Sequence, residues 1–200
     1  MTATATQANE TDPRVKRTRR LLLQAFSSLQ KEKNINAISV QDIAERATVN
    51  RATFYAHFED KYALMDGWMR EEFRHMLASR LPADSMLTTH TLRSLITAVF
   101  DFLSGFYTTC KRSDTQFEPM FETAMQQELY SVLLSWLKHA PGGKSSPNAM
   151  EATALVVSWA IFGPAVQWSR GDRLVPADQI TRDVMRVVVN ALSGAVGSLA

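Results

Sequence analysis

Asn50, Arg51, Ala52, Thr53, Tyr55, His57 and Lys61 crowd into the run SVQDIAERATVNRATFYAHFEDK, residues 39–61. Side chains of these types at this spacing suit hydrogen bonding to the edges and backbone of a nucleic acid. Arg51 carries the forked donors that match guanine, and the Thr53 methyl can meet the methyl of thymine. Asn50 and Ala52 are polar or small enough to let the chain approach base edges. Tyr55, His57 and Lys61 offer hydroxyl, ring N–H and ammonium groups for phosphate oxygens, and Gln41 and Lys16 add two more contacts of that kind. Gln41 is helped by its place near a helix N-terminus.

Elements must hold these groups in place. Ser39 followed by Asp42 has the spacing of a capping box, and Val40, Ile43, Ala44 and Ala47 make one short apolar face behind it. Asn50 suits the cap of a second short helix, running to about His57, with only Thr48 and Val49 between the two. Helices of about two turns are not stable alone. A first helix must brace them, starting after Asp12 with Pro13 at its first position and using Val15, Leu22, Phe26 and Leu29 as its apolar face. Two helices joined by a tight turn form the helix-turn-helix, whose second helix enters the DNA major groove. Ala47 supplies the small residue where the helices cross, and Val49 the apolar plug in the turn.

The run ISVQDIAERATVNRATFYAHFEDKYALMD resembles the DNA-binding signature of the tetracycline-repressor (TetR/AcrR) family of bacterial transcriptional regulators. Ile43, Ala44, Ala47, Val49, Thr53, Tyr55, His57, Phe58, Lys61 and Leu64 fall on its pattern. Thr48 stands where the family usually has Gly, and Ala56 where many members carry a larger side chain that touches DNA. The resemblance implies an all-helical C-terminal part that dimerises and holds a small-molecule pocket. It also implies that ligand binding alters the spacing of two recognition helices, most often to relieve repression. Since one short helix reads only a few base pairs, a homodimer would need two half-sites, hence a palindromic operator.

Composition agrees with a folded all-α protein. The chain has 200 residues, 46% hydrophobic and 21% charged, with only eight Gly and seven Pro and little two-residue alternation. Lys plus Arg number 13 against 10 acidic residues up to position 80, and 9 against 10 beyond it, giving +3 and −1. Arg14, Lys16, Arg17, Arg19 and Arg20 concentrate the excess, in keeping with phosphate contact and equally with a solvated helix face. The single Cys110 leaves no internal disulfide. With no uninterrupted run of 18 apolar residues and no secretory pattern at the start, the expectation is a cytoplasmic protein without a membrane partner. His57, His75, His90 and His139 are scattered, so no metal is expected, nor any cofactor.

The expected division is a flexible arm over 1–12, a DNA-binding domain over 13–62 and a helical regulatory and dimerisation domain over 63–200. Asp60 should cap a helix from Lys61 to about Arg80, followed by a break at Leu81–Leu87. Further helices are expected near 89–111, 116–139 with one break, 148–170 and 177–198. The last two are strongly apolar, which places a four-helix dimer interface on Val157, Ile161, Trp168, Val184, Val188 and Leu192; internal core is the alternative use. Phe102, Phe106, Tyr107, Met120, Phe121 and Met125, with Trp136, Trp159 and Phe162, suit a pocket for an apolar or aromatic ligand, and equally a packed core. No activated nucleophile or carboxylate pair stands out by spacing, so an enzyme is not expected. An architectural DNA binder without effector is the other class in play.

Overall fold

The computed structural model describes residues 12–82, 84–109, 116–140 and 146–196. Among them are eight α-helices, short 3₁₀ segments and no strand. The N-terminal arm, Cys110 and the centre of the loop after His139 lie outside the described residues.

Helix α1, Pro13–Glu32, begins where the Asp12 carboxylate accepts the Arg14 N–H at 2.8 Å, with Pro13 filling a position whose N–H would be unused. It buries Leu22, Leu23, Ala25, Phe26 and Leu29. A 3₁₀ turn, Ile35–Ala37, follows, capped by Asn34 and not anticipated from the sequence. Helix α2, Val40–Arg46, has a reciprocal cap: the Ser39 N–H donates to Asp42 at 2.7 Å and the Asp42 N–H to the Ser39 hydroxyl at 3.1 Å. Helix α3, Arg51–Tyr55, starts at Asn50, whose Oδ1 accepts the Thr53 N–H at 2.7 Å. It stops before His57, whose N–H turns back to Phe54 O, three residues earlier. Asp60 Oδ1 accepts the Tyr62 and Ala63 N–H groups, each at 2.8 Å, and so opens α4, Lys61–Arg80.

The chain divides into two compact units, Met1–Glu71 with Arg112–Phe121, and Glu72–Lys111 with Glu122–Ala200. The division falls inside α4 rather than at residues 62 and 63. Leu64, Met65 and Met69 are buried there, and Trp68 meets the α1 residue Phe26 edge-on at 5.6 Å, which gives the first half of α4 to the first unit. That unit closes over Leu22, Phe26, Ile38, Ile43, Phe54 and Leu64, so α2 and α3 are stabilised by burial rather than by their own length.

The second unit contains the rest of α4, α5 (Thr89–Thr109), most of α6 (Glu118–His139), α7 (Pro147–Arg170) and α8 (Ala177–Val196). Helix α6 runs unbroken because Pro119, its one breaker, sits in the first turn. Helices α5, α7 and α8 pack on one another. Arg74 holds the nearly buried Glu128 through two hydrogen bonds of 2.7 Å, and Gln126 donates to Ser158 at 3.0 Å, so these polar groups enter the interior paired. Helix α7 is long and apolar enough to cross a membrane, yet its Val157, Ile161 and Ala165 face is core.

This packing corrects the interface assignment. Val157, Ile161, Val184, Val188 and Leu192 are buried inside their own unit, and Trp168 lies half-buried against Phe100. Buried side chains cannot meet a second copy. The apolar residues that α7 and α8 turn outward are Leu155, Val156, Trp159 and Val187, 48–63% exposed. Apolar periodicity locates a stripe, but on a helix apolar nearly all round it does not say which side faces in.

Candidate nucleic-acid interface and ligand cleft

In the first unit the turn between α2 and α3 has the left-handed backbone that usually calls for glycine. Thr48 adopts it, with φ 57°. The Val49 N–H reaches back to Ala44 O at 2.9 Å, and Ala47 is buried where the helices meet. Arg46 fastens the pair to α1: its guanidinium donates to Ser28 at 2.6 Å and to both Glu32 oxygens at 2.8 and 2.7 Å. These bonds hold the Glu32 carboxyl below its ordinary range. Lys33, at 2.8 Å, and Ser39 do the same for Asp42, more strongly.

Arg51 and Ala52 are exposed on α3, and Tyr55 is 49% exposed. Arg51 Nη2 approaches the Tyr55 hydroxyl at 3.5 Å. Asn50 is exposed as well, but its Oδ1 also accepts the Thr53 hydroxyl at 2.9 Å. Asn50 Nδ2 and the Thr53 methyl are therefore the groups these two residues can offer a base edge. Ala56 is exposed and adds no reach.

The residues expected on phosphates divide. Lys16 is exposed, and like Arg14, Arg17 and Arg20 its side chain makes no ion pair or hydrogen bond among the described residues. Gln41 donates to Glu45, one turn along α2. His57 is half-buried; burial first, and then the charge of Arg19, lower its pKa from 6.5. It is therefore neutral at pH 7 and offers an N–H rather than a charge. Lys61 has a use inside the fold as well. Its ammonium donates to the carbonyls of Ile38 at 3.0 Å, Asn36 at 3.3 Å and Ile35 at 3.5 Å. Lys61 thereby adds a donor to carbonyls at the end of the 3₁₀ turn. Spacing alone does not reveal that use.

Arg19 was grouped with the basic cluster but belongs to the frame. Its guanidinium lies 4.4 Å from the Phe58 ring centroid, and a Cβ on Gly67 would stand 3.0 Å from Arg19 Nη2. The glycine in α4 thus leaves room for the arginine.

In the second unit, a cleft of about 470 Å³ lies along α7, lined by Glu122, Trp159, Phe162, Gln167 and Arg170 among others. Of the nine residues proposed for a pocket, Trp159 and Phe162 line it. Tyr107 reaches it indirectly, donating its hydroxyl to Glu122 and stacking under Arg170. Phe102 packs on Phe73, and Phe106 on Tyr107. Met125 and Trp136 are buried in the interior of this unit and are not among the residues lining this cleft. Met120 and Phe121 group with the first unit, where Phe121 is buried. Glu122, Gln167 and Arg170 were not singled out from the sequence. Their signal is polarity on otherwise apolar helices, since 159, 163, 166, 167 and 170 share one face of α7.

Residues 22–67 match the family model described as bacterial regulatory proteins, tetR family. No curated protein matches the chain at the sequence level. Among solved structures, the TetR family repressor AlkX from Dietzia sp. strain DQ12-45-1b superposes with TM-score 0.63 at 14% identity, covering 88% of this chain and 98% of that one. A tetR-family regulator from Streptomyces coelicolor gives 0.53 at 16% identity, covering 88% and 83%. One from Rhodococcus sp. RHA1 gives 0.52 at 17%, covering 88% and 97%. At these identities the likeness is one of fold, and it extends over the helical second unit as well as the helix-turn-helix. With the turn at Thr48, the exposed face of α3 and the match over residues 22–67, the first unit carries a DNA-binding helix-turn-helix of the type found in the tetR family of bacterial regulatory proteins.

Proposed function

We propose that this chain is a cytoplasmic homodimer that reads a palindromic operator through α3 and releases it when a small organic ligand binds the second unit. The observation that carries the reading is α3 itself. It is five residues long, is anchored by buried Phe54, and leaves Arg51, Ala52 and Tyr55 exposed. Such a helix has no structural need for an exposed Arg and Tyr, and it is too short for one copy to specify a site. The outward apolar residues Leu155, Val156 and Val187 support a second copy on the α7 and α8 face. Repression is the commoner mode in the family. The cleft along α7 supports a ligand, whose differential affinity for the DNA-fitting and non-fitting states would supply the coupling.

The test is selection of genomic fragments by the purified protein at two salt concentrations, because phosphate contacts make affinity salt-dependent. A palindromic site is the expected result. Weak, salt-sensitive binding to every fragment would instead mark an architectural binder.

A further inference from the structure

The polar end of the α7 cleft is built unevenly. Glu122 Oε1 accepts both the Tyr107 hydroxyl and Arg170 Nη2, the latter at 2.7 Å. Its other oxygen, Oε2, has no hydrogen-bond partner among the described residues. Arg170 is engaged by that pair and by the Tyr107 ring, whose centroid is 5.2 Å from its guanidinium carbon. Arg170 and Gly171 also form the C-terminal end of α7, where helix carbonyls present partial negative charge. Beside them stands Trp159, 54% exposed, its ring meeting Phe162 edge-on at 6.1 Å. An indole face attracts cations. Carboxylate oxygen, helix C-terminus and indole therefore all favour positive charge at one end of an apolar trough. An anion there would meet the second Glu122 oxygen and the carbonyl end, and would have to compete with Glu122 for the Arg170 guanidinium that already pairs with it.

Resting on the reading of the chain as a ligand-responsive regulator, we propose that this cleft takes a lipophilic organic cation, such as an aromatic amine or quaternary ammonium. Its charge sits at Glu122 and its apolar body lies on Trp159 and Phe162. The cleft volume, about 470 Å³, admits a molecule of that size. Gly163 lines the middle of the trough, and a Cβ there would meet nothing within 4 Å, so a larger side chain at this position can fill the cleft without displacing its walls.

Isothermal titration of the full-length protein with tetraphenylphosphonium and with tetraphenylborate compares one shape carrying opposite charges. The cation should bind the wild type, lose at least tenfold in affinity in Glu122→Gln, and be excluded by Gly163→Leu, while both variants melt cooperatively and keep the oligomeric state of the parent. The borate should gain or be unaffected in Glu122→Gln. No binding of the cation, or a Glu122→Gln variant that treats the two probes as the parent does, overturns the proposal. So does a Gly163→Leu variant that falls apart into monomers, since the cleft would then be a contact between copies. Displacement of the selected operator is scored separately. Cation binding that leaves DNA bound sinks the regulatory coupling and keeps the site. Operator release by compounds indifferent to Glu122→Gln sinks the site and keeps the regulation.

Discussion

Lys61 Nζ donates to the Ile38 carbonyl at 3.0 Å, tying the first turn of α4 to the segment that leads into α2. With Asn36 and Ile35 also in reach, the ammonium has a structural use at the position where the family resemblance implies a phosphate contact. Lys61→Met should therefore lower stability by about 1 kcal/mol. Its salt dependence of DNA binding should stay that of the parent. Lys16→Ala should do the reverse, leaving the melt alone and reducing the salt slope by about 1. Binding isotherms at several salt concentrations, with chemical denaturation of each variant, separate the two roles.

Arg51→Ala should relax specificity at one base position, at a cost of about 1–3 kcal/mol for the preferred base. Tyr55→Phe should weaken all sequences alike. Competition between the selected operator and its single-base variants reads both. Equal weakening across the panel by Arg51→Ala would make Arg51 a backbone contact.

Thr48→Gly should stabilise the protein by up to about 1 kcal/mol, since a branched side chain at φ 57° is strained where glycine is not. The gain is trimmed by the extra freedom of glycine in the unfolded chain. Thermal melts report it. A loss of stability would mean that the threonine side chain makes compensating contacts.

Asp42 and Glu32 both have lowered pKa values, from Lys33 and Ser39 in one case and from Arg46 in the other. A carboxylate depressed in the folded state stabilises fully above its unfolded pKa, near 4, and loses that contribution as pH falls through the folded value. Asp42→Asn should accordingly be less stable than the parent at pH 7, with the gap closing at acid pH. Denaturation curves from pH 7 down to pH 2 would show the gap start to narrow below about pH 4, and a constant gap would remove Asp42 from the pH dependence.

Val187→Glu should yield a folded monomer by sedimentation, because Val187 is 61% exposed and lies on the proposed face between copies. Ile161→Ala, on the same pair of helices but 0% exposed, should instead cost about 2–5 kcal/mol of fold stability. A dimer unaffected by Val187→Glu would move the interface elsewhere.

The helix-turn-helix was legible because its determinants are local. Caps at Asp12, Ser39, Asn50 and Asp60 lie within three residues of the N–H groups they satisfy, and the left-handed turn falls between two short apolar faces. Backbone hydrogen bonding and helical period operate over a few residues, so amino-acid order alone determines where these helices begin, their all-α class and the exposed types on α3. The uses of individual side chains were decided by contacts far apart in the chain. Lys61 meets carbonyls more than twenty residues upstream, Arg19 depends on room at Gly67, and Glu122 finds Arg170 across the second unit. Which side of α7 faces inward was likewise set by α5 and α8 packing on it, since a helix apolar nearly all round carries no local signal for its buried face.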